Sequence, residues 1–238
     1  MNPAGVQVWL APEALADEAA STERLRALLS DAEVEQQRAF RAEAPRRLYL
    51  VARALQRTVL SRLVPSVAPH EWRFERGAGG RPCIAPDHAL DLDFNIAHTT
   101  GLVVMAAGAG MRLGIDVETF APRRSVQIAR RYFSAREIAG LEALPPAEQP
   151  RRFVELWTLK EAYLKAIGTG ISGGLGTMTF ELKDGDIAFE RAPDPDAARW
   201  QFHQRAVGSA HLLALAWLAP GEARLPVTYH DFAVDGVR

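Results

Sequence analysis

Apolar residues recur along this chain at two spacings. Between residues 153 and 167 no Gly or Pro interrupts the run. At about 100° per residue, Phe153, Leu156, Trp157, Leu164 and Ile167 share one apolar arc, which Leu159 and Tyr163 widen, and this predicts a helix of about four turns. Helical patterning also predicts short helices over 21–29, 32–42 and 125–132, and a longer one over 46–64 that carries Arg46, Arg47, Arg53, Arg57 and Arg62. Ser134 and Glu137 match a capping box that starts a further helix, which ends before Pro145-Pro146. Short β-prone runs predict strands at 6–10, 72–75, 92–97, 102–107, 113–117, 178–182, 187–190, 200–207 and 211–218. Each half is thus helices plus mainly antiparallel strands, an α+β arrangement whose second half starts near Arg112.

Composition narrows the class. With 238 residues and 48% hydrophobic content the chain supports one large domain or two small ones sharing a core. A net charge of −1 gives no whole-chain argument for a nucleic-acid partner. Cys83 is the single cysteine, which excludes internal disulfides and zinc sites built on several cysteines and fits a reducing compartment. The first twenty residues lack the basic and apolar regions of a signal peptide, and the longest apolar run, 212–220, is too short to cross a bilayer. A soluble cytoplasmic protein without a membrane partner is the expectation.

The chemistry concentrates around WTLKEAYLK, residues 157–165. Lys160 falls inside the apolar arc, and an ammonium there needs an anion to offset its lost hydration. One such anion is a phosphate. Glu161 and Lys165, four apart, are neighbours at the edge of the arc; as an ordinary surface pair they contribute a few tenths of a kcal/mol. In LGIDVE, Asp116 and Glu118 lie two apart on a predicted strand, so both point to one face. Two convergent carboxylates suit a hard cation such as Mg²⁺, although an isolated pair is also what a solvated strand face carries. Glu161, Lys160 and Lys165 add the third acid and two amines that a metal-bound pyrophosphate requires. His98 ends an apolar strand, in FNIAHTTG. GTGISG matches G-x-G-x-x-G by letter, yet a helix precedes it and a strand-like run follows, so it reads as a helix-stopping turn.

Taken together, GIDVE followed by WTLKEAYLKAIGTGIS resembles the 4′-phosphopantetheinyl transferase superfamily. FNIAHT resembles that family's strand ending in Asn-(Ile/Val)-Ser-His-Ser, GGRPCI its Gly-Lys/Arg-Pro turn, and YFSAREI its Phe-Ser/Thr-x-x-Glu element. Length and order are similar to the long, monomeric, two-subdomain branch of the surfactin-synthetase-activating type. The resemblance implies two similar α/β subdomains in pseudo-twofold arrangement, 1–111 and 112–238, with the site between them. The first would serve the 3′-phosphate and adenine of coenzyme A, and the second would carry the metal, the catalytic helix and the carrier-protein docking surface. It implies transfer of phosphopantetheine from coenzyme A to a serine of an apo acyl or peptidyl carrier protein, releasing adenosine 3′,5′-bisphosphate.

By position, Asp116, Glu118 and Glu161 would hold Mg²⁺, with Mn²⁺ as the alternative. Glu161, directly or through a water, would take the serine proton, and Lys165 would donate to the leaving group. Lys160 and Lys165 would face the phosphates. Arg53, His98 and Thr99 would lie at the 3′-phosphate, and Arg81 and Pro82 along the adenine. The family's Ser-His-Ser is Ala97-His98-Thr99 here, and its upstream lysines have no counterpart in DAEVEQQRAF, where Glu33 and Gln36 stand; Arg46 or Arg47 is the expected substitute. Arg123, Arg124, Arg130, Arg131 and Arg136 form a basic run, read either as a solvated helix side or as a docking face led by Arg123 and Arg124 for an acidic carrier. A metal-dependent phosphohydrolase and a non-enzymatic coenzyme A- or carrier-binding paralogue are the competing classes.

Overall fold

A computed structural model describes residues 5–120, 125–170, 174–183, 185–191, 194–219, 221 and 224–233. The elements run β1 (Val6–Pro12), α1 (Ala19–Arg26), α2 (Asp31–Ala39), α3 (Glu43–Leu63), β2 (Phe74–Arg76), β3 (Pro82–Ile84), β4 (Leu92–Thr99) and β5 (Leu102–Ala109). There follow β6 (Arg112–Thr119), α4 (Ser125–Tyr132), α5 (Ala135–Glu142), α6 (Gln149–Ile167), β7 (Thr179–Lys183), β8 (Asp186–Arg191), β9 (Gln201–Val207), β10 (His211–Leu218) and β11 (Val227–Asp231). The expected α+β class holds, and no helix among the described residues is long and apolar enough to cross a membrane.

The chain forms two compact units, one of Met1–Arg76, Pro82–Ala109 and Leu225–Arg238, the other of Gly77–Arg81 and Gly110–Arg224. The chain passes from the first unit to the second at Ala109–Gly110. Two segments lie apart in sequence from the rest of their unit. β11 pairs in parallel with β1, Val6 opposite Val227, so the last strand belongs to the first unit. The Gly77–Arg81 turn belongs to the second unit, where the Arg81 guanidinium donates to the carbonyls of Leu113 (2.9 Å) and Ala166 (3.4 Å).

In the first unit a four-stranded sheet, ordered β11-β1-β5-β4, carries α3. The buried side chains of α3, among them Leu50, Val51, Ala54, Leu55, Val59 and Leu60, meet Trp9, Phe94, Val103 and Met105 of the sheet. Arg57 is buried as well, in a 2.6 Å ion pair with Glu33. Glu33 also closes the Ser30 capping box of α2, so one carboxylate fixes two helices.

In the second unit a three-stranded antiparallel sheet, ordered β6-β10-β9, lies under α6, with the β7–β8 hairpin alongside. The predicted arc of α6 is its core face: Phe153, Leu156, Leu159, Tyr163 and Leu164 pack with Phe133, Phe180, Trp200 and Phe202. Gly168 ends α6 in the left-handed conformation (φ 73°), as the turn reading expected. What places α6 on β6 is Gly114. A Cβ there would sit 2.1 Å from the Ala162 carbonyl oxygen and 2.6 Å from the Ala166 nitrogen, so only glycine allows the helix backbone this close to the strand.

Candidate active site

The α6-facing side of β6 follows from that contact. Residues 114, 116 and 118 share one side of the strand, so Asp116 and Glu118 lie on the side where α6 packs against Gly114. Along α6, Ala162 and Ala166 abut Gly114, and Glu161 and Lys165 stand beside them, one turn apart. The result joins three acids and one amine of the second unit. Lys165 Nζ donates to Asp116 Oδ1 at 2.6 Å. Asp116 is 5% exposed, and its other oxygen, Oδ2, has no hydrogen-bond partner; neither has the buried Oε1 of Glu161.

Both glutamates feel Asp116. Burial first, then the charge of Asp116, pushes the Glu118 carboxyl up to about 7, against Lys165 and a hydrogen bond from Trp157, which lower it. The Glu161 carboxyl rises to about 7 from burial, then Asp116, with Lys165 opposing and Glu118 adding. Carboxyls shifted this way by burial and by one another are short of positive charge. Among the described residues no three acidic, imidazole or thiol side chains are so arranged that they hold an ion as they stand. Asp116 is instead engaged by Lys165. The two orphaned buried oxygens, on the strand and on the helix, are the better guide to what the cluster accepts: carboxylate oxygens without donors fit a hard divalent cation.

Lys160 requires a correction. It is fully buried, and its three N–H groups go to Glu137 Oε2 (2.7 Å), Leu175 O (2.7 Å) and Met178 O (2.8 Å), 5.2 Å above the Phe133 ring. With these contacts all three donors are used inside the unit. The anion its burial demands is internal: Glu137, the capping-box acid of α5, which also accepts from the Phe180 amide (2.9 Å). Helix geometry gives the reason, since Lys160 lies about 100° from Glu161 and about 140° from Lys165 around α6, on the core side.

The remaining sequence-predicted residues are placed as follows. In the first unit Arg53 lies on α3, bonded to Gln56 Oε1 (2.7 Å) with its guanidinium over Tyr49. His98, exposed, and Thr99, half-buried, close β4. Pro82 opens β3. Arg47 is ion-paired with Glu13 and Glu43, and Arg46 has no such partner among the described residues. Arg123 and Arg124 lie outside the described residues. The rest of the basic run is largely neutralised, Arg130 by Glu142 and Arg136 by Glu181 and Glu190, while Arg131 covers Tyr132. Two site residues escaped the sequence reading, Trp157 and Gly114. Periodicity treats Trp157 as apolar and ignores its indole N–H. Gly114 carried a signal, a glycine inside a strand.

A helix laid on a strand through a glycine brings acids from both together, with an amine closing onto one of them. The family model described as the 4′-phosphopantetheinyl transferase superfamily matches residues 112–216, and that described as 4′-phosphopantetheinyl transferase, N-terminal, matches residues 18–110. The chain is 34% identical over 169 residues to the 4′-phosphopantetheinyl transferase Sfp of Bacillus subtilis, covering 71% of this chain and 73% of that one. It is 31% identical over 169 residues to the 4′-phosphopantetheinyl transferase HetI of Nostoc sp., 70% of each. It is 31% identical over 195 residues to a phosphopantetheinyl transferase of Thraustochytrium sp., covering 76% and 67%. The chain belongs to the 4′-phosphopantetheinyl transferase superfamily and is an enzyme of that transferase class.

Proposed function

We propose that this enzyme moves the phosphopantetheine arm of coenzyme A onto a serine of an apo acyl or peptidyl carrier protein, acting as a cytoplasmic monomer. The supporting observation is the cluster of Asp116, Glu118, Glu161 and Lys165, whose unpartnered oxygens and raised carboxyl pKa values call for added positive charge. Asp116, Glu118 and Glu161 would hold Mg²⁺, or Mn²⁺. When bound, the ion supplies neutralisation of the pyrophosphate charge. Such a transfer needs positioning and charge neutralisation more than covalent help.

The chain's own groups complete the step. The serine oxygen forms a bond to the phosphorus that carries pantetheine, and its proton passes to Glu161, directly or through one water. The bond from that phosphorus to the bridging oxygen breaks, and adenosine 3′,5′-bisphosphate leaves with its new charge met by the Lys165 ammonium. Arg53, His98 and Thr99 are the proposed contacts of the 3′-phosphate, with Arg46 free to assist. Arg81 and Pro82 are the proposed adenine contacts.

The test is intact-mass analysis of several apo-carriers incubated with coenzyme A and Mg²⁺. A gain of one phosphopantetheine arm, lost with Asp116→Ala and Glu161→Gln, supports the reading. Coenzyme A cleavage at full rate without any carrier would make the enzyme a phosphohydrolase. Reversing Arg123 and Arg124 to Glu tests the docking face and should raise the carrier KM while leaving that for coenzyme A unchanged.

A further inference from the structure

Away from the carboxylate cluster, the second unit has a half-open groove of about 1020 Å³, into which none of Asp116, Glu118, Glu161 and Lys165 projects. One wall comes from the β7–β8 hairpin and another from the start of β9, with Arg152 and Glu155 of α6 at its base. Consecutive residues of β9, Gln201 to Gln204, line it. A groove across the face of a strand meets only alternate residues, so this one runs along the strand, at the end of the β6-β10-β9 order. An extended chain laid beside the strand would follow the same course.

Its charge is opposite in sense to the whole protein's. Arg152, Lys183, Arg199 and Arg224 line it against Glu155 and Asp186, in a chain of net charge −1. Glu155 is already neutralised by Arg151 (3.1 Å) and Arg152 (3.0 Å), and Arg199 is held by Asp196 (2.8 Å). Lys183 and Arg224 are exposed and have no acidic partner among the described residues. Burial, then the Arg205 and Arg224 charges, hold the His203 imidazole below its usual range. Phe189, Trp200 and Phe202 add aromatic lining, and Gln204 locks β9 to α6 through Glu155 O (2.7 Å) and Thr158 Oγ1 (3.0 Å). The channel is therefore firmly backed, cationic and open at the surface.

We infer that this groove is a docking site for an acidic, extended polypeptide segment of a partner protein, with Lys183 and Arg224 as its charge contacts. Complementary charge of this kind acts on both encounter and register. The inference does not depend on the proposed carrier reaction.

The experiment uses the full-length protein and a fluorescein-labelled, end-blocked octapeptide alternating Glu with Val, read by anisotropy. The Lys-for-Glu counterpart peptide is the control. The acidic peptide should bind, its Lys counterpart should not, and Lys183→Glu/Arg224→Glu should weaken binding about tenfold or more, since two exposed contacts are reversed. Asp186→Lys, which removes the one uncompensated lining acid, should tighten it. Phosphopantetheinyl transfer should be unchanged in both variants. Equal binding by the double variant, equal binding of the Lys peptide, or no binding at all would each overturn the inference. So would full displacement by coenzyme A or inorganic pyrophosphate, which would assign the groove to a small anion.

Discussion

Lys165 Nζ stands 2.6 Å from Asp116 Oδ1, and this contact joins the end of α6 to the middle of β6 across 49 residues of sequence. The ammonium also lowers the pKa of Glu118 and of Glu161, so one cation serves all three acids. Lys165→Met should therefore drive both glutamate carboxyls further up, visible in a carboxyl NMR titration, and slow transfer about 100-fold or more. Lys165→Arg should restore the titration in part. Unmoved carboxyl pKa values beside a lost rate would mean that the amine acts on substrate alone.

The same two glutamates set a pH dependence. Both are raised from 4.5 to about 7 in the folded protein. Between those values the native state binds more protons than the unfolded chain, so this contribution to stability falls as pH rises through the window and levels off above about 7. Urea unfolding without divalent ion should show that decline, and Asp116→Asn should make it shallower because Asp116 is a cause of both shifts. Metal ligands must be deprotonated, so Mg²⁺ should raise the melting temperature more at about pH 8 than at about pH 5. An equal rise at both would separate the ion from these carboxyls.

The Lys160–Glu137 pair gives a stability prediction with no site role. Lys160→Met leaves Glu137, 4% exposed, as a buried unpaired charge and strips a donor from Leu175 O and Met178 O. Removing one partner of such a pair costs about 3–5 kcal/mol, and Lys160→Met/Glu137→Gln should recover much of it because Gln still accepts from the Phe180 amide. Denaturant titration measures both. Below its melting temperature Lys160→Met should keep the wild-type KM for coenzyme A; a large rise in that KM would return Lys160 to the phosphate site.

Helix periodicity and the strand period of two were enough to anticipate α6, β6 and the common side of Asp116 and Glu118, because those features are local. They were also enough to see that Lys160 needed an anion. They were not enough to say which, since the answer lay 23 residues upstream in a capping box whose glutamate had a local role already. A capping acid that also meets a buried lysine has no sequence signature. The strand β11 went unanticipated for a related reason: VTYHD is short and half-exposed, and it becomes a strand by lying against β1, more than 200 residues away.

Gly114 is the position where site and fold are least separable. Its hypothetical Cβ falls 2.1 Å from the Ala162 carbonyl oxygen, a backbone atom that no rotamer change can move aside. Gly114→Ala must lift α6 from β6 by more than an ångström or bend the strand. Overpacking against backbone of this kind should cost about 3 kcal/mol or more. The lift acts where Ala162 and Ala166 touch the strand, next to Glu161 and Lys165, so it also parts Lys165 from Asp116. The variant should lose transfer activity even where it stays folded, and its Glu161 carboxyl should no longer report the charges of Asp116 and Glu118 in titration. A folded Gly114→Ala protein with wild-type rate would show that the acids converge without the close helix-strand contact.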